Sequence, residues 1–348
     1  MGHIGKLREI IGLIKDKVSQ SRAALLSKPS NLSLRLALLR ATTHDAFTPP
    51  NHKHIDTVLS FGHSSRATAA TAIDALMDRL QSTRDSSVAL KCLITVHHII
   101  KRGSFILQDQ LTVYPASGGR NYLKLSNFRD NSSPLSWELS SWVRWYAQYI
   151  ETLLSASRIL GFFLASSSCA IEKEKQDETM ATLTNNGLLV QIISLVGLLE
   201  EICKRPDSLH TKDSKLVDEI MVFVCEDYFS AINGVSIRVS EFRERLSGLK
   251  FGESVELVCA LTRLENCKEK MSELSTRKRA VMESFWATVS EIKGGVRTER
   301  DEGKLVIRLR REMSGESSRF PERVLRSGDS VRFNSGRLGQ DGVPITIF

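Results

Sequence analysis

Arg40-Ala-Thr-Thr-His44-Asp-Ala-Phe-Thr-Pro49-Pro50-Asn51-His52-Lys53-His54-Ile55 closes one apolar helical run and opens the next. The two prolines bar a continuous helix, because each lacks a backbone N–H and restricts the residue before it. Asn51 stands where an N-cap is expected, with two imidazoles and a lysine in the first turn after it. A helix N-terminus presents unsatisfied N–H groups and a partial positive charge, and both favour anions. With Arg40, Lys53 and His54, and His52 beside them, this corner suits a multiply charged phosphate. The same residues also fit an ordinary interhelix turn whose polar side chains are simply solvated.

Upstream, Ile4, Leu7, Ile11, Ile14 and Val18 fall on one helical stripe, widened by Ile10 and Leu13. Lys6, Arg8, Lys15 and Lys17 lie mostly off it. The period predicts an amphipathic helix over 4–18, laid either on a membrane or on the protein's own core. These can be alternative states of one segment.

Downstream, apolar residues recur three and four apart almost throughout, and alternating strand patterns are few. A second helix is expected over about 32–40 and a third from near His54. In the stretch 67–81, Ile73, Leu76, Met77 and Leu80 share a face. The helix expected over 88–101 is apolar nearly all round, through Val88, Leu90, Leu93, Ile94, Val96, Ile99 and Ile100, so it belongs at the centre of a bundle. His97 and His98 are neighbours and cannot share a face, which makes them packing histidines rather than a metal pair. Residues 113–134 read as loop with a short ordered piece at 122–128. A long helix is expected over 137–163, its aromatic stripe of Trp142, Tyr146 and Tyr149 facing a core. After a small, serine-rich and charged connector (165–177), helices are expected over 180–204, 212–229, 240–246, 254–274 and 278–293. The Arg-, Ser- and Gly-rich tail beyond Gly294 has little to pack and is expected to be mobile. The fold class is all-α: antiparallel helices stacked in a curved layer, with a helical C-terminal extension.

The 348 residues carry a formal net charge of +8, which favours an acidic partner such as a membrane surface, nucleic acid or acidic protein. Nucleic acid is disfavoured, since no single helix carries a basic stripe. The six cysteines are scattered with no C-x-x-C pair and read as reduced, buried, cytosolic thiols. Charges interrupt the first apolar positions, so no signal peptide is visible, and no run looks long and uncharged enough to span a bilayer. Gly2 invites myristoylation, but Lys6 stands where Ser or Thr is wanted. No phosphate-binding loop, dinucleotide signature, nucleophile elbow or zincin motif is present, so an enzyme is disfavoured and no cofactor is implied. His44, His52 and His54 could form a chance metal cluster, but no ordered cysteine or carboxylate pattern completes it.

Three segments in order resemble the ANTH domain of clathrin-assembly proteins. They are Arg40–His44 with Pro49–His54; Leu90-Lys-Cys-Leu-Ile-Thr-Val-His-His-Ile-Ile; and Leu123-Lys-Leu-Ser-Asn-Phe-Arg-Asp with the helix following Trp137. The likeness is close over about 4–165, looser to about 293, and does not cover the tail. It implies a superhelical α-solenoid, and the chain is expected to divide into a membrane-contacting helix (1–20), an ENTH-like helical part (21–165), a helical extension (166–293) and a flexible basic tail (294–348). It further implies binding of phosphatidylinositol 4,5-bisphosphate on the cytoplasmic leaflet, clathrin recruitment, often with adaptor complexes, and R-SNAREs as cargo. The implied locations are coated pits and vesicles, the plasma membrane and the Golgi. The family's headgroup motif runs basic residue, spacer, basic, any residue, basic, His or Tyr. Arg40, Lys53 and His54 match its first, third and fourth positions, with Asn51 at the second and a spacer one residue longer. His52 or the N-terminal lysines are expected to compensate in part. Ile4, Leu7, Ile11 and Ile14 would enter the lipid. Leu195-Val-Gly-Leu-Leu-Glu200 loosely matches a clathrin box but sits in an apolar helix and is expected to be buried. The tail holds none of the D-L-L, D-P-F or N-P-F triplets. The alternative is a helical scaffold that binds a SNARE or coat protein, with weak or lost lipid contact.

Overall fold

The computed structural model describes residues 2–114, 123–166, 180–207, 214–274 and 282–296. All of them fall in one compact unit, residues 1–299. The expected tail, most of the 165–177 connector and Cys169 lie outside the described residues, as do the side chains of Ile4 and Leu7. The helices are α1 (Gly2–Leu26), α2 (Pro29–Ala41), α3 (His52–Ser60), α4 (Arg66–Ser82), α5 (Ser86–Arg102), α6 (Phe105–Thr112) and α7 (Pro134–Leu160). They continue as α8 (Asn185–Cys203), α9 (Lys215–Glu244), α10 (Phe251–Asn266), α11 (Lys268–Leu274) and α12 (282–296). No strand occurs among the described residues. Contacts follow chain order: α1 on α2, α2 on α3, α4 on α5 and α6, α5 on α7, α7 on α8, and α8 on α9 and α10. Each new helix therefore covers the apolar face its predecessor leaves open, which is the stacked all-α arrangement expected.

Helix α5 is the spine. Every residue from Ser86 to Lys101 is buried. Its N-terminus is closed by two carboxylates: Asp85 accepts from the amides of Ser87 (2.9 Å) and Val88 (3.2 Å), and Asp130 from that of Ser86 (2.9 Å). The carboxylate of Asp227 on α9 accepts hydrogen bonds from His97 Nε2 (2.9 Å), Lys101 Nζ (2.5 Å) and the Tyr149 hydroxyl (2.5 Å). His97 Nδ1 meets the Tyr146 hydroxyl at 2.8 Å. Burial pushes the His97 pKa down, against the pull of Asp227. A neutral imidazole that donates from Nε2 and accepts at Nδ1 satisfies both contacts. His97 is thus the packing histidine expected.

Five boundaries differ from expectation. Helix α7 starts at Pro134, because Ser133 caps the Ser136 amide and proline at N1 loses no helical bond. It ends at Gly161, whose φ of 82° favours glycine. The break expected between 229 and 240 is absent, and α9 runs unbroken for 30 residues. Ala231, Ile232, Val235, Val239 and Phe242 carry the buried stripe straight past Asn233 and Gly234. Gly234 serves packing: a Cβ there would come within 3.2 Å of the Leu195 side chain on α8. The expected 180–204 helix breaks before Thr184, which caps the Gly187 amide, and the 254–274 helix breaks at Cys267.

Two expectations are corrected. Helices α8 and α9 are long and apolar enough to cross a membrane by composition. The apolar residues that give them this character, among them Leu188, Leu189, Ile192, Val224 and Val235, are buried in the stack, as suits core helices. The cysteines are not uniformly buried: Cys92 and Cys203 are, Cys225 and Cys267 are half-buried, and Cys259 is exposed on α10. A period-based reading of α10 does not separate its rim from its core face.

Candidate functional site

The corner begins where α2 ends. Arg40 stands exposed in the last turn of α2. Arg79 of α4 reaches across, donating from Nη2 to the Thr42 carbonyl (3.1 Å) and from Nε to its hydroxyl (3.3 Å). Lys91 of α5, buried beneath, donates to the Thr43 hydroxyl at 2.8 Å. Burial lowers its pKa to about 8, against the pull of Asp45, Asp16 and Asp85. The sequence marks neither Arg79 nor Lys91 as part of the corner. Both come from helices distant in the chain, and nothing in local spacing points to them.

The chain then turns. Asp45 accepts from the Phe47 amide (2.9 Å) and from the Thr48 hydroxyl. Asn51 caps α3, its side chain accepting from the Lys53 amide (2.9 Å) and its carbonyl from His54 (3.0 Å) and Ile55 (3.2 Å). The Lys53, His54 and Ile55 amides are thus satisfied within the turn, and side chains supply the charge that an anion would meet here. Among the described residues, neither Arg40 nor Lys53 makes an ion pair, and both are exposed. His54 is half-buried. Partial burial lowers its pKa, and so do the charges of Arg40 and Lys53, which bring the three into one electrostatic cluster. The ring of His52 instead meets the buried ring of His98 edge-on, with centroids 5.7 Å apart.

His44 is engaged elsewhere. Its amide (3.1 Å) and Nδ1 (2.6 Å) both contact the carboxylate of Asp16 on α1. A Cβ on Gly12 would come within 3.1 Å of the His44 Cβ, so the loop lies tight against α1. Thus α1 docks through Gly12, Asp16 and Ala23. It turns its apolar stripe outward: Ile10, Ile11, Leu13, Ile14 and Val18 are 44–60% exposed. Core helices of soluble proteins usually point such a stripe inward. Ile11 and Ile14 therefore sit where a membrane could reach them. In α8, the Leu195–Glu200 segment has Leu195, Val196, Leu198 and Leu199 fully buried, as expected.

A stack of helices in chain order, with a cationic corner and an outward-facing apolar first helix, defines an all-α helical-stack class of fold. The ANTH domain family matches this chain over residues 33–246. Three Arabidopsis thaliana proteins, each carrying the name "Putative clathrin assembly protein", are similar along most of its length. One is 52% identical over 349 residues, covering 97% of this chain and 96% of its own. A second is 34% identical over 303 residues (83% and 99%), and a third 34% over 313 (88% and 90%). The chain belongs to the ANTH domain family.

Proposed function

We propose that the protein is a peripheral membrane adaptor that binds phosphatidylinositol 4,5-bisphosphate, promotes clathrin coat assembly and selects SNARE cargo during endocytosis or vesicle budding. It would act at the cytoplasmic face of coated pits, the plasma membrane and the Golgi. Arg40, Lys53 and His54 would hold headgroup phosphates, with His52 at the rim. Ile11 and Ile14, with Ile4 and Leu7 ahead of them, would enter the acyl boundary. The observation that carries this reading is the outward apolar stripe of α1, clasped beside a cationic cluster without counterions among the described residues. The clathrin role rests on the relatives' names and the family.

Magnitudes assign the parts. A Lys or Arg near an anionic leaflet contributes about 1 kcal/mol, so Arg40 and Lys53 together supply roughly 2 kcal/mol. Burying an Ile or Leu side chain fully contributes about 1.5–3 kcal/mol before ordering costs. The stripe therefore dominates residence and the cations set headgroup preference. Flotation with vesicles containing or lacking phosphatidylinositol 4,5-bisphosphate tests the function. Ile11→Ser with Ile14→Ser should weaken flotation more than Lys53→Ala does; the reverse order would refute the assignment. One observation favours the protein-scaffold alternative: Asn51 occupies a motif position expected to be basic and is spent on capping. Flotation indifferent to the phosphoinositide would select that alternative.

A further inference from the structure

Between the two halves of the cationic corner stands an aromatic side chain that the headgroup motif does not use. Phe47 is 54% exposed, whereas its neighbour Ala46 packs against the core. A single exposed hydrophobe is ordinary on a protein surface. Here the backbone fixes it outward. Asp45 grips the Phe47 amide and the Thr48 hydroxyl, and Pro49 and Pro50 stiffen the chain between Thr48 and α3. On the other side, His44 is held by Asp16 of α1. The loop is therefore fastened to the helix that shows its apolar stripe to solvent, and its tip lies in the chain between Arg40 and Lys53.

We propose that Phe47 is a membrane-inserting wedge, which fits this corner to an anionic bilayer rather than to a free inositol phosphate. The ring enters the acyl boundary while Arg40, Lys53 and His54 hold phosphates at headgroup level. Charge and continuity select the occupant: the chain reaches the ring directly from Arg40 and leaves it toward Lys53 and His54, which form one cationic cluster, and the α1 stripe to which the loop is tied has the same apolar character. This inference rests on the membrane reading above and adds a residue and a ligand preference to it.

The test uses the full chain, vesicles containing phosphatidylserine and phosphatidylinositol 4,5-bisphosphate, and soluble inositol 1,4,5-trisphosphate. Phe47→Ala should lose roughly ten-fold in vesicle affinity, as expected for an aromatic ring partly withdrawn from water. Its melting temperature and its affinity for the soluble headgroup should not change. Phe47→Trp should restore vesicle binding. Its emission, relative to wild type, should shift to the blue with vesicles and be quenched by brominated acyl chains. The proposal is overturned if wild type floats and Phe47→Ala floats equally well. It is also overturned if the variant loses soluble headgroup binding in proportion, or if the introduced tryptophan stays unquenched. Failure of wild type itself to bind vesicles overturns the membrane reading and this inference together.

Discussion

His54 shows how much one residue's surroundings decide. Partial burial and the charges of Arg40 and Lys53 hold its pKa below the ordinary value, so it is neutral near pH 7 in the unliganded protein. A bound phosphate replaces repulsion with attraction and pulls that pKa back up. Binding then takes up a proton and strengthens as pH falls. Flotation should rise from about pH 7.5 to about pH 5.5, and His54→Gln should flatten the profile. A flat wild-type profile would remove His54 from the site. The trio of Arg40, Lys53 and His54 could be read from the chain because the three residues flank a single helix break. The groups that hold the break in shape could not. Arg79, Lys91 and Asp16 each lie on another helix, and a titratable residue carries no local sign of the carbonyl or hydroxyl it will meet.

Helices were legible where period and caps agree, and misjudged where a small residue serves packing rather than a turn. Gly234 is the clearest case, because a glycine that lets α8 approach looks the same in sequence as one that ends a helix. The converse holds at the start of α5, where sequence shows only Asp85. Asp130, 44 residues past the Ser86 amide it accepts, is nearly buried and also binds the Ser132 amide at 3.1 Å. Two carboxylates on one helix start imply an ordering. Asp85→Ala should cost about 1 kcal/mol, as for an ordinary cap. Asp130→Ala should cost more, about 1–3 kcal/mol, because it strands a buried amide. Urea unfolding of the two variants measures the order, and equal losses would mean that Asp130→Ala strands no buried amide at the start of α5.

For the molecule as a whole, the question is what joins the first helices to the later ones. Helix stacking in chain order follows from short connections and one-sided hydrophobic stripes, and this much could be read from the sequence. The polar interlock across it could not: His97 and Asp227 are 130 positions apart. Asp227→Asn should take from buried Lys101 the carboxylate it meets at 2.5 Å, and from His97 its charged acceptor, and should cost about 3–5 kcal/mol. The same change at Asp56, whose pair with Arg102 is half in solvent, should cost under about 1 kcal/mol. Thermal melts of the two variants would show similar losses only if the interlock carried no more weight than a surface pair.

The clasp between His44 and Asp16 has a kinetic consequence. Many peripheral proteins recruit a leader that coils up only upon touching lipid, and so they meet the entropic penalty of ordering at the moment of arrival. In the proposed membrane role the leader is already wound and anchored before any vesicle appears, so landing would resemble the docking of a finished tool. Far-ultraviolet dichroism should then stay nearly silent as the protein settles, and capture should be governed by orientation rather than by the time needed to fold.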